Sequence, residues 1–149
     1  MSKKPSLDLL INVTNDAVEE AAKVLQKAAT ERAKAQEQLD MLHGYRLDYA
    51  QRLQETTENG VTASNYLNFR RFLNTLDEAI SQQNNIVAQS ESQLAAGRRQ
   101  WQAEKQRLGA YEALQTRQRQ QQVLHEARRE QRTSDEIAAN LFRRGYRKH

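Results

Sequence analysis

The chain contains no cysteine, and that absence excludes disulfides, thiolate catalysis and cysteine-based zinc sites. Proline occurs once, at Pro5, and glycine only five times in 149 residues, so almost nothing interrupts a helix. Aromatic residues make up 6% of the chain, too few for a large globular core but enough for a narrow stripe between two helices. Without a deep interior there is no dry cavity of the kind small-molecule catalysis uses. No apolar run approaches the ~20 residues that cross a bilayer. Residues 1–8 hold two lysines but lead into no signal-peptide core. A soluble, cytoplasmic protein is the expectation, free to dock onto a membrane complex.

Recognisable catalytic and ligand motifs are missing as well. No phosphate-binding glycine loop is present, because Gly97-Arg98-Arg99 is not followed by Lys-Ser/Thr. No nucleophile elbow occurs. His43, His125 and His149 lie too far apart for a metal signature. Adjacent carboxylates such as Glu19-Glu20 point to different helix faces. The expectation is therefore a non-enzymatic protein with no catalytic, cofactor or metal site and no small-molecule substrate.

What the chain does have is two apolar ladders with steps of three and four. The first runs through Ile11, Thr14, Val18, Ala21, Leu25, Ala28, Arg32, Ala35, Leu39, Leu42, Arg46, Tyr49 and Leu53. The second runs through Tyr66, Phe69, Leu73, Leu76, Ile80, Gln83, Val87, Ser90, Leu94, Gly97, Trp101, Glu104 and Leu108. Ten of thirteen positions in the first and nine of thirteen in the second are apolar. A strand would alternate every second residue. A repeat of about 3.5 residues instead keeps one seam facing a partner helix.

The ladders predict an all-α fold, a long antiparallel two-helix coiled-coil hairpin with an extended second helix. Ser6 caps helix one, expected over 6–55. At 1.5 Å per residue, ~49 residues make about 73 Å of helix. Asn59-Gly60 marks a turn over 56–64, with Thr62 or Ser64 as the next cap. A short connection makes the helices antiparallel, and position x then faces about 120 − x. A parallel dimer of opened chains would also satisfy the seam, but the short turn disfavours it. Helix two is expected over 65–130. Residues 131–149 are read as a helical or disordered tail, with 133–144 a separate short helix carrying Ile137, Ala138, Leu141 and Phe142. Residues 1–5 are expected to be disordered.

Charge is unevenly placed. Residues 1–97 hold ten Lys/Arg against thirteen Asp/Glu, whereas residues 98–149 hold thirteen against six. A basic end suits an acidic protein surface, nucleic acid or lipid headgroups. No nucleic-acid motif accompanies it, so no nucleic-acid partner is expected.

A second stripe runs beside the ladders. Gln38, Leu42, Tyr45 and Tyr49 in the first half, and Phe72, Leu76, Ala79 and Gln83 in the second, follow steps of four, three and four. The pairing rule puts both at one level. Either the seam widens there, or aromatic residues are left at the rim as a binding patch.

At these residues the chain resembles the FliJ family of bacterial flagellar export proteins. The likeness lies in Leu39-Asp40-Met41-Leu42, Tyr45, Tyr49, the Asn59–Ser64 turn, Tyr66, Asn68, Phe69, Phe72, Leu76, Trp101–Leu108 and Ala113-Leu114-Gln115. It spans about residues 10–142. The resemblance implies an antiparallel coiled coil similar to the gamma stalk of rotary ATP synthases. It implies a stalk in the pore of the hexameric flagellar export ATPase, promoting assembly and activity of the ring, at the flagellar base on the inner membrane. It also implies contact with the export-gate protein FlhA and a part in recycling export chaperones. The FlhA-contacting positions correspond to Gln38, Leu42, Tyr45, Tyr49, Phe72, Leu76 and Ala79, while Gln83 stands where the family leads one to expect His. The competing reading is a generic cytoplasmic coiled-coil scaffold with a basic tail for nucleic acid or a membrane surface.

Overall fold

The computed structural model describes residues 6–147, with side chains up to Gly145. Residues 1–5, for which disorder was expected, lie outside the described residues, as do 148–149. Two helices account for nearly everything else: α1, Leu7–Glu58, and α2, Ala63–Arg147. They form the expected helical hairpin. Local chemistry explains each end. The Leu9 amide donates to the Ser6 hydroxyl at 3.2 Å, so Ser6 is the N-cap of α1, and Asp8 sits in the first turn near the positive dipole end. At the other end Asn59 N–H donates to the Glu55 carbonyl, and Gly60 adopts φ 89°, the left-handed conformation that stops a helix. Thr62 rather than Ser64 caps α2, its hydroxyl accepting from the Asn65 amide at 3.2 Å.

The turn is tighter than expected. The helical pattern continues through Thr56, Thr57 and Glu58, and the Thr57 hydroxyl donates back to the Leu53 carbonyl instead of opening the chain. A larger correction concerns the tail. No break separates 131–147 from helix two: α2 runs on to Arg147, and the short helix expected over 133–144 is part of it. At the start of that stretch the Thr133 hydroxyl donates to the Arg129 carbonyl one turn back, a conformation that keeps Thr133 inside a helix. Neither proline nor glycine intervenes between Gly109 and Gly145.

The chain divides into two compact units, Ala17–Glu104 and the flanking stretches up to Asp16 and from Lys105. In the first, every buried residue is a ladder residue: Ala21, Ala28, Ala35 and Leu39 of α1, and Leu73, Leu76, Ile80, Gln83, Val87, Gly97 and Glu104 of α2. Ala35, Leu39, Ile80 and Val87 form its central cluster, with Leu42 packed against them. Small residues on one helix face large ones on the other, which lets the backbones approach. At Gly97 a Cβ would stand 3.6 Å from the Cα of Leu25.

The polar ladder positions are accommodated individually. Arg32 reaches across the seam to Glu91 at 3.1 Å, and Arg46 reaches Asp77. These pairs and the Tyr49–Phe72 contact obey the expected 120 − x register to within a turn of helix. Tyr66 is the one ladder residue of the second set that is exposed.

In the second unit Thr14 is buried, and Leu108, Tyr111 and Gln115 are half-buried, with Gln115 donating to Asp8. From Thr116 to Gly145 every residue is exposed.

Candidate functional site

The stripe beside the seam is the best-defined surface feature of the Ala17–Glu104 unit. Apart from Gln83, its seven residues divide by depth. Leu76 is buried between the helices, and Leu42, Tyr49 and Ala79 are half-buried. Gln38, Tyr45 and Phe72 are exposed, Tyr45 by 50% and Phe72 by 42%. The division follows from ladder position. Leu42, Tyr49 and Leu76 are ladder residues, whereas Tyr45 and Phe72 are displaced to the rim, where a two-stranded seam cannot cover them. Leu76 therefore supports the patch from beneath and offers a partner little surface.

An aromatic cluster anchors one side. The rings of Tyr49 and Phe72 are 4.3 Å apart between centroids, and Phe69 lies 6.4 Å from Tyr49. The Arg52 guanidinium sits 5.5 Å from the Tyr49 centroid, within cation–π range. Such pairs are worth about 0.5–1.5 kcal/mol beyond burial. They hold Phe72 in one orientation although much of it faces solvent. A preordered aromatic side chain loses little entropy on meeting a partner.

Beside the cluster lies an open groove of about 270 Å³ lined by Gln38, Met41, Leu42, Tyr45 and Gln83. Gln83 forms part of its floor. The buried Gln83 amide nitrogen donates to the Ala35 carbonyl at 2.9 Å and to the Gln38 Oε1 at 3.3 Å. Gln83 thus bridges the helices, spends its donors inside the seam and ties Gln38 to the groove. Burying an amide without partners is costly, and these two bonds answer that cost.

Met41, Phe69 and Arg52 are not among the patch residues expected from sequence, although Phe69 is a ladder position. Met41 was accessible to it, lying three residues after Gln38 and four before Tyr45 on the same helix face. Phe69 and Arg52 join only through Tyr49, a contact that spacing alone does not reveal. His43 and His125 are exposed, and no group of three potential metal ligands occurs among the described residues. Among the same residues no helix is long and apolar enough to cross a membrane.

Comparison with known proteins agrees with this architecture. The family model FliJ, described as flagellar FliJ protein, matches residues 2–147. The flagellar FliJ protein of Salmonella typhi is 31% identical over 138 residues, covering 93% of this chain and 94% of that one. That of Escherichia coli strain K12 is 32% identical over the same length and coverage. Among solved structures, the YscO homolog CT670 of Chlamydia trachomatis superposes over 100% of both chains with a TM-score of 0.51 at 18% identity, which supports the fold alone. A match over nearly the whole chain places it in the flagellar FliJ family, a non-enzymatic component of flagellar export.

Proposed function

We propose that this component acts as a central stalk. It promotes assembly and activity of the hexameric flagellar export ATPase, couples the ring to the export gate through FlhA, and helps recycle export chaperones while peripherally associated with the inner membrane. Family membership supports the setting. The observation that carries the docking role is the pair Tyr45 and Phe72, large aromatic side chains held at the rim of the seam beside an apolar groove. Aromatic anchors in such patches dominate interface energies. In this reading Gln38, Leu42, Tyr45, Tyr49, Phe72, Leu76 and Ala79 form the FlhA-facing surface, with Leu76 as its internal support. Residues 112–149 form the part assigned to the ATPase ring.

The test is the double substitution Tyr45→Ala with Phe72→Ala. Both residues lie off the ladder, so helicity by circular dichroism and stimulation of the ATPase should be retained. Capture of FlhA should fall by about 30-fold or more, as for loss of a hot spot of ~2 kcal/mol. Normal FlhA capture by the folded variant would refute the docking surface. Lost helicity would mean the stripe is core.

A further inference from the structure

We propose that Asn59, in the turn of the hairpin, is a site of spontaneous deamidation whose isoaspartyl product loosens the end of α1. The reaction needs an asparagine side chain open to water, a following backbone amide that can reach its carbonyl carbon, and no bulk beside that amide. Asn59-Gly60 is the only Asn-Gly pair in the chain. Both residues are exposed and lie in the non-helical connection between α1 and α2. Gly60 has no Cβ, and the space a Cβ would enter is open, with nothing within 4 Å. Its amide donates to the Thr57 carbonyl at 3.4 Å, a long bond beside the 3.0 Å at which the Asn59 amide donates to Glu55. The other eight asparagines lie inside the helices, and none precedes a glycine. There the next amide is engaged by the helix, as at Tyr66 after Asn65, which donates to the Thr62 carbonyl at 3.0 Å. Helical backbone also keeps that nitrogen away from the preceding side chain. The chemistry is thereby confined to one residue.

The Gly60 nitrogen, once deprotonated, attacks Cγ of Asn59. A bond forms between them, the bond from Cγ to the side-chain nitrogen breaks, and ammonia leaves with the proton the amide gave up. The product is a five-membered succinimide. Water is the sole co-reactant of the second step. Attack at Cγ restores the main chain and leaves aspartate. Attack at the backbone carbonyl carbon breaks its bond to Gly60 instead, so the chain runs on through Cγ and the former backbone carbonyl becomes a free carboxylate. That isoaspartate adds a methylene to the main chain between the last turn of α1 and the Thr62 cap, which misplaces the Gly60 amide relative to Thr57. It also adds a negative charge. The last turn of α1 has no basic residue and already carries Glu55 and Glu58. The new carboxylate therefore joins two others at the negative end of the helix dipole.

The inference is independent of the stalk reading, since it concerns only the covalent chemistry of the turn. Full-length folded protein is incubated for days at neutral and at mildly alkaline pH, beside a free peptide of residues 56–64. Mass spectrometry of digests locates the gain in mass of an amide turned acid. Methyl transfer from S-adenosylmethionine by an isoaspartyl methyltransferase scores the isomer. The gain should be confined to Asn59, run faster at alkaline pH and yield more isoaspartate than aspartate. Asn59→Gln should abolish it, because the longer side chain must close a six-membered ring, while circular dichroism stays unchanged. Gly60→Ala should slow it by placing a methyl group beside the attacking nitrogen. The isoaspartyl protein, separated by ion exchange, should melt about 2–4 °C below the unmodified protein. Conversion of the peptide with Asn59 intact in the protein would mean that the turn shields the site, and would overturn the proposal. So would equal conversion at a helical asparagine, or an isoaspartyl protein that melts with the unmodified one.

Discussion

Between Ala17 and Glu104, two helices bury a ladder of small and aliphatic residues against each other. Between Thr116 and Gly145, one helix buries nothing. Both stretches are helical, but for different reasons. In the first, α-helix is the conformation that brings residues at steps of three and four onto one apolar seam, and burial of that seam supplies most of the stability. In the second, Gln, Arg, Glu, Ala and Leu dominate, all strong helix formers, and no proline interrupts them. Intrinsic propensity and local pairs such as Gln131–Asp135 support that stretch without a core. The contrast separates two properties that a helical assignment merges. Helicity follows from the lack of breakers, whereas resistance to unfolding follows from the ladder.

The contrast breaks or survives on a pair of leucines. Leu39 is 7% exposed at the centre of the seam cluster. Leu39→Ala should cost about 2–5 kcal/mol, the lost transfer energy plus the cavity. Leu141→Ala, on the solvated helix, should change stability by less than about 0.5 kcal/mol. Chemical denaturation of both variants measures the difference. A comparable loss at Leu141 would mean that the solvated stretch contributes to the cooperative fold.

How much of this was legible beforehand depends on the range of the interaction. The ladders named the whole buried set of the Ala17–Glu104 unit, including polar Gln83 and Glu104, because burial in a two-helix seam is a matter of period. The cap at Ser6 was legible, and that of α2 was narrowed to Thr62 or Ser64, because a hydroxyl and an amide three residues on suffice. The ends of both helices at the turn were misplaced by two or three residues, because Thr56 and Thr57 suit a turn as well as a last helical turn. In the tail, expected as helical or disordered, the stretch 133–144 is helical but not separate, because the Thr133 hydroxyl bonds back to the Arg129 carbonyl inside α2. At the patch, the rim positions of Tyr45 and Phe72 follow from their place beside the ladder. The contacts of Tyr49 with Phe69 and Arg52 do not, since they depend on cross-helix register and rotamers. Tyr66 fits the period yet is exposed, lying close to the turn where α2 has barely begun.

Two glycines sharpen the contrast with opposite signs. Gly60 holds φ at 89° in the turn. Gly60→Ala meets no neighbour but forces a side chain into the left-handed region, so it should destabilise by about 1 kcal/mol or more. Gly97 is buried mid-helix against the Leu25 backbone, where an added Cβ meets Leu25 at ordinary contact distance. Gly97→Ala should therefore stabilise by about 0.5–1 kcal/mol, the helix-propensity gain. Thermal melting reads both. A loss at Gly97 would mean that the seam is packed too tightly there for even a methyl group.

The smallest expected effect concerns the charges at the seam margin. Arg46 and Asp77 form an ion pair with side chains 43% and 49% exposed, so water and salt screen it strongly. The pair holds the Arg46 pKa above its ordinary value, first through the hydrogen bond to Asp77 and then through its charge. A raised pKa contributes stability below the unfolded value and loses it only as pH climbs through the folded one. For arginine both values lie in the far alkaline range. The Arg46 contribution should therefore be flat from about pH 7 to about pH 10. Arg46→Gln should lower the melting temperature slightly at low salt, and the difference should vanish near about 1 M salt. Arg129→Gln, in the solvated part of α2, should shift the melt by no more than a typical surface change at either salt concentration. Should the Arg46 difference persist at high salt, the stabilisation would come from its aliphatic stem packed along the seam rather than from its charge. In that case even this polar position contributes by burial, and the division between the packed and solvated stretches becomes sharper.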